Sequence, residues 1–270
     1  MKILQQLLFL FIILSPSWAF GQFTPEIRDD RPGLLKSSYT IGKNVFQVHN
    51  GVHGVWSDTE INIGAINTQL NRKGYRLENI FRYGILEDLD LIMDFSYSDD
   101  QYTTANDSVT LNDDFQNTSL RLRYRFLEPK NRGFSGAFEG GWNFNREYMD
   151  IALIFGYHYD YHHFHLNLLG ASKYIYQTQA QDFGAGLQYA LRMRKWNAAV
   201  EYEWHTLSFQ STLSDSQTNN VRISFGYKIS SGFQLSAYGG WKDEAIATNI
   251  SDSGTYAGFG ITWRLAGLRN

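Results

Sequence analysis

The clearest pattern in the chain is a pair of alternating arms between Tyr75 and Ser98, YRLENIFRYGILEDLDLIMDFSYS. In the first arm Tyr75, Leu77, Asn79, Phe81 and Tyr83 alternate with Arg76, Glu78, Ile80 and Arg82. After a turn over Gly84 to Asp88, Leu89, Leu91, Met93, Phe95 and Tyr97 alternate with Asp90, Ile92, Asp94, Ser96 and Ser98. Side chains of a strand alternate between faces, so each arm has one apolar face and one charged face. A soluble sheet buries its apolar face in a core. A transmembrane barrel turns that face to lipid and its polar face to the lumen. Each arm is about as long as the 9–11 residues a tilted strand needs to cross a bilayer.

The same unit recurs along the chain. Val45 to Trp56 predicts a strand with Phe46, Val48, Val52 and Trp56 in phase, followed by a polar loop from Ser57 to Lys73. A second polar loop, Asp99 to Asp114, precedes a strand in which Leu120, Leu122, Tyr124 and Phe126 alternate with Ser119, Arg121, Arg123 and Arg125. Next come Phe134, Phe138 and Trp142 set against Ser135, Glu139 and Asn143, then Ile151, Leu153, Phe155 and Tyr157. His163 to Tyr174 is the least regular segment. Further strands carry Phe183 to Leu191, Trp196 to Trp204, Val221 to Tyr227, Phe233 to Trp241 and Tyr256 to Leu265. The expectation is an all-β, antiparallel transmembrane barrel of about twelve strands, an even number as single-chain bacterial barrels have. Connections alternate between long and short, which predicts external loops and periplasmic turns. A lipocalin-like or sandwich protein is the soluble alternative, but it would turn its apolar phase inward.

Composition supports the membrane reading. Aromatic residues make up 16% of the 270, mean hydropathy is nevertheless −0.36, and there are only four prolines. That combination fits a lipid band diluted by polar lumen residues and flanked by interfacial Tyr and Trp. Met1-Lys2, the apolar run Leu7 to Leu14 and Ala19-Phe20-Gly21 read as a secretory signal peptide cleaved near Gln22. The expected organisation is a signal peptide over 1–21, an N-terminal periplasmic extension or lumen plug over 22–44, and an outer-membrane barrel over 45–270. The absence of cysteine excludes disulfides and a lipoprotein anchor. A net charge of −3 without a basic patch gives no footprint for nucleic acid.

The inward phase supplies the candidate chemistry. Arg76, Arg82, Asp90, Asp94, Arg121, Arg123, Arg125, Glu139, Glu201, Glu203, Arg222 and Lys228 fall on the predicted lumen face. Counting from the short turns puts Arg82 opposite Asp90 and Arg121 near Glu139, and across the ninth and tenth strands Glu201 lies near Arg222. These residues fit a polar constriction that selects solutes by size and charge. They fit equally a structural network filling a narrow barrel. The run HYDYHHFH places His158, His162, His163 and His165 near a periplasmic turn, where an interfacial turn within the aromatic girdle is the expectation rather than a metal site. Asp99, Asp100, Asp107, Asp113 and Asp114 crowd the second loop without EF-hand spacing, which reads as a solvated loop. No His-x-Ser pair, G-x-S-x-G elbow, HExxH or P-loop occurs, so no catalytic residue, cofactor or metal is expected.

Asp30-Arg31-Pro32, Ser38-Tyr39-Thr40-Ile41 and Val45-Phe46-Gln47-Val48 resemble the opening of the outer-membrane transporter family associated with phenol-degradation (meta-pathway) operons. Arg76, Phe81-Arg82-Tyr83-Gly84 and Leu89-Asp90-Leu91 look like its second and third strands, and Gly42-Lys43-Asn44 stands where that family has Pro-x-Gly. The similarity covers the first quarter of the chain and a little more. It implies a transporter-type barrel in a Gram-negative outer membrane, passing small solutes with hydrophobic or aromatic compounds among the candidates. The expected partners are the lipid bilayer, small-molecule solutes and the barrel-assembly machinery. The rival classes are a closed structural or adhesive barrel and, more remotely, an outer-membrane lipid hydrolase.

Overall fold

A computed structural model describes residues 35–63, 66–104, 108–111, 117–128, 132–145, 147–175, 178–209, 215–247 and 250–266. Residues 1–34, which hold the expected signal peptide and most of the expected N-terminal extension, lie outside the described residues, as do Asp107, Asp113 and Asp114. The strands are β1 (Val45–Ile63), β2 (Ile66–Leu86), β3 (Leu89–Thr103), β4 (Ser108–Leu111), β5 (Asn117–Leu127), β6 (Arg132–Asn143) and β7 (Tyr148–Tyr159). They continue with β8 (His162–Ile175), β9 (Thr178–Arg192), β10 (Trp196–Phe209), β11 (Ser216–Ser230), β12 (Phe233–Ala247) and β13 (Ile250–Ala266). Each pairs antiparallel with its neighbour, and β1 pairs with β13 from Val45↔Ala266 to Ile61↔Ile250. The ring is therefore closed by twelve strands. β4 stands outside it, pairing with Asp100 to Thr103 beyond the stretch of β3 that holds β5. Closure leaves no edge, which hydrocarbon demands because it cannot hydrogen-bond a bare backbone group.

The wall is inside-out relative to a soluble protein. Gln47, His49, Asp90, Glu139, Asn167, Glu201, Gln234 and Thr262 are buried in the lumen. Leu122, Ile223, Phe225 and Phe259 are exposed on the outer surface. Aromatic pairs ring the end with short turns, among them Trp196 with Tyr227 (4.4 Å), Phe134 with Tyr157 (5.0 Å) and Phe164 with Tyr189 (5.0 Å). Tyr75 with Tyr97 and Phe183 with Trp204 mark the other edge. From Trp196 to Trp204, β10 covers about the 9–11 residues of a membrane crossing.

Two expectations about loops are corrected. Most of the expected loop over Ser57 to Lys73 is paired strand, Ser57 to Ile63 against Ile66 to Arg72. Asp99 and Asp100 belong to β3, and Asp100 is buried in an ion pair with Arg72 at 2.5 Å. Beyond the lipid band neither face needs to be apolar, so the alternation that marks a strand in sequence disappears although the ladder continues. The irregular His163 to Tyr174 segment is an unbroken strand, β8.

Candidate functional site

Residues 35–44 run inside the barrel and join β1 through a tight turn. Gly42 (φ 90°) and Asn44 (φ 58°) take left-handed conformations there, and the Asn44 N–H donates to the Gly84 carbonyl at 2.8 Å. A Cβ on Gly84 would overlap the Gly42 backbone, so the wall needs glycine where the segment lies against it. Leu35, Ser37, Ser38, Tyr39, Thr40 and Ile41 are buried, and Leu35 sits over Gly186 of β9.

The wall satisfies this segment residue by residue. Asn167 accepts the Lys36 N–H at 2.8 Å and donates to the Lys36 carbonyl at 2.9 Å. Lys36 Nζ lies 2.7 Å from Glu139. Arg123 donates to the carbonyls of Ser37 and Tyr39, and Arg82 also reaches the Tyr39 carbonyl at 2.9 Å. The Ile41 N–H is shared by both carboxylate oxygens of Asp90, and Arg264 donates to the Ile41 carbonyl at 2.6 Å. Extended backbone inside a lumen has no sheet partner, so side chains supply its hydrogen bonds.

All twelve residues singled out in sequence sit on the lumen face, in two settings. Arg82 and Asp90 form a fully buried ion pair at 2.6 Å. They are diagonal rather than opposite, because a bulge between Gly84 and Leu86 sets Asp90 against Gly84 and Arg82 against Ile92. Glu139 likewise faces Arg123 directly, at 2.6 Å, and Arg121 only diagonally, at 3.4 Å. Arg121 also pairs with Asp94 and lies 3.8 Å from Asp150. Arg125 binds Asp88 of the short β2–β3 turn. Arg76 is set against His53 and Ser98, and Lys228 against Gln234 near the end with short turns.

Across the lumen, Glu201 and Arg222 are direct partners in register. Gln188 donates to Glu201. The Arg222 guanidinium lies 4.5 Å from the Tyr238 ring centroid and 5.3 Å from that of Tyr256, whose hydroxyl it contacts at 3.3 Å. His53 completes this aromatic patch, 3.0 Å from the Tyr238 hydroxyl. Glu203 contacts His205 at 2.9 Å, and His205 contacts Asp182 at 3.1 Å. Tyr39, His53, Tyr238 and Tyr256 are not among the site residues expected from the sequence. Tyr238 and Tyr256 occupy the inward phase of strands whose outward phase is also aromatic, so their parity was the only available signal.

The histidine run also needs correction. His158, His163 and His165 turn into the lumen, and only His162 lies on the outer surface, 2.7 Å from the Tyr189 hydroxyl.

Among solved structures, the chain is similar to an outer-membrane channel from Pseudomonas putida F1, with a TM-score of 0.64 and 10% identity over 86% of this chain and 99% of that one. The porin NanC aligns with a TM-score of 0.49 and 8% identity, over 78% of this chain and 98% of that one. At such identities likeness shows the fold alone. No family model and no curated protein matches the chain. The shared fold is that of an outer-membrane β-barrel.

Proposed function

We propose that the protein is an outer-membrane channel for passive or facilitated passage of small solutes. The observation that carries this reading is a closed barrel whose lumen is lined on one side by Arg222, Glu201, Tyr238, Tyr256 and His53. A confined wall with one guanidinium between two phenol rings offers charge selection together with aromatic stacking. That chemistry agrees with the hydrophobic or aromatic compounds implied by the family resemblance. In this reading the twelve inward charged residues share two roles, solute selection and retention of the N-terminal segment, and no covalent catalysis is assigned to any of them.

A closed structural barrel is the second reading. The buried ties of Arg82, Asp90, Arg123 and Glu139 to residues 36–41 favour it, because a firmly held segment narrows the lumen. Solute flux into liposomes carrying the refolded protein tests the pair, using a small sugar, an amino acid and a phenolic compound. Uptake above empty liposomes supports a channel and ranks the solutes. No uptake of any of the three by folded protein supports the closed barrel.

A further inference from the structure

We propose that His158, His163 and His165 form a binding site for a first-row transition-metal cation of the Zn²⁺ or Cu²⁺ kind, at the periplasmic end of the lumen. Imidazole is a preferred ligand of both ions. The three residues come from the hairpin of β7 and β8. His158 is directly opposite His163 in register, and His165, two residues on, faces the same way opposite Gly156. One ring nitrogen of each lies within 4.8 Å of the others. Tetrahedral ligands at ~2.0–2.1 Å from zinc stand about 3.3 Å apart, inside the range set by this spread and the 2.5 Å contact between the Nδ1 atoms of His158 and His163. Small side-chain rotations therefore suffice to admit the ion.

Two surrounding features point the same way. Gly156 lies beneath the imidazoles, where a Cβ would stand 2.9 Å from His158 Nε2 and 3.2 Å from His165 Nδ1. Its nearest neighbour there would be Ser135 Oγ, so glycine leaves room for the Ser135–His158 contact that orients the ring. His158 is oriented from outside the cluster, with Nε2 held 2.8 Å from Ser135 Oγ, which in turn contacts Ser38 Oγ at 2.6 Å. This chain turns His158 Nδ1 towards His163, the kind of support that orients metal-bound histidines. The Tyr39 hydroxyl lies 3.0 Å from the same Nδ1 and supplies a fourth donor. The nearby cation is Arg192, stacked on the Tyr39 ring at 5.2 Å, so the site depends on neutral imidazoles rather than on charge attraction. Because Tyr39 belongs to the N-terminal segment, a bound ion would join that segment to the β7–β8 wall.

The test is calorimetric titration of the full chain, refolded in detergent, with Zn²⁺ and separately with Mg²⁺. Cu²⁺ electron paramagnetic resonance reports the number of coordinating nitrogens. The expected result is one Zn²⁺ per chain with no Mg²⁺ uptake, and a Cu²⁺ spectrum with multiple nitrogen couplings. H163Q and H165Q should each weaken Zn²⁺ by at least about tenfold, while H162Q on the outer surface leaves it unchanged. Heat-modifiable migration on electrophoresis confirms that each variant is a folded barrel. Zn²⁺ binding no tighter than Mg²⁺ in the parent protein would overturn the site. So would full-strength binding in folded H163Q and H165Q, or loss in H162Q alone.

Discussion

The lumen has two unlike walls built from the same kinds of residue. From β2 to β8, arginines and carboxylates close on residues 36–41, and Arg82, Asp90, Arg123 and Glu139 each touch the segment while also pairing with one another. From β10 to β13, Arg264 still reaches the Ile41 carbonyl, but Arg222 is set against Glu201 and lies between the Tyr238 and Tyr256 rings. An inward arginine can thus anchor a piece of chain or stack against rings of the wall, and residue type alone does not distinguish the two.

The largest effect should come from the anchored wall. Asp90 accepts from Arg82 and from the Ile41 N–H while fully buried, so Asp90→Ala strands a buried guanidinium. The expected loss is ~3–5 kcal/mol in urea unfolding from detergent micelles. A much smaller loss would mean that the segment and its ion pairs do not stabilise the barrel.

Deleting residues 35–41 tests the segment as an obstruction. Single-channel conductance in planar bilayers should rise severalfold. An unchanged conductance would show that the segment does not limit the path.

The opposite wall should respond in selectivity instead. Arg222→Ser is expected to shift reversal potentials towards cations, with some loss of stability because buried Glu201 loses its neighbouring cation. Replacing Arg121, Arg123 and Arg125 together with Ser should mix a selectivity shift with lost stability, because Arg123 also holds Ser37 and Tyr39. If Arg222→Ser leaves selectivity unmoved, the aromatic wall is not the filter.

The smallest effect lies on the outer surface, where Asn50 donates to Asn79 at 2.5 Å amid apolar neighbours. Asn79→Leu should cost ~1–3 kcal/mol by stranding Asn50, whereas replacing both asparagines with Leu should be close to neutral. Equal losses in the single and double variants would show that the pair is not satisfied internally.

Much of the fold was legible because a strand in a bilayer solves a local problem. Each position must face lipid or lumen, so Tyr75 to Ser98 announces its phase without reference to any other segment. Legibility failed where that constraint ends. Ser57 to Ile63 and Ile66 to Lys73 are as much strand as Val45 to Trp56, but water on both faces erases the alternation. It failed also in HYDYHHFH, where polar residues on both faces hid which histidines turn inward.

The candidate site was half legible for a related reason. Parity placed Arg82, Asp90, Glu139 and Arg222 on the inner face, since it needs only a count along one strand. Their partners required more: a bulge at Gly84 that offsets Arg82 from Asp90, a register that gives Glu139 to Arg123, and ten residues threaded through the lumen. Alternation along a strand belongs to the chain itself, because the side-chain period of two is covalent geometry. Contact across the lumen belongs to the closed ring, because shear, bulges and the path of residues 35–44 bring together side chains that lie far apart in sequence.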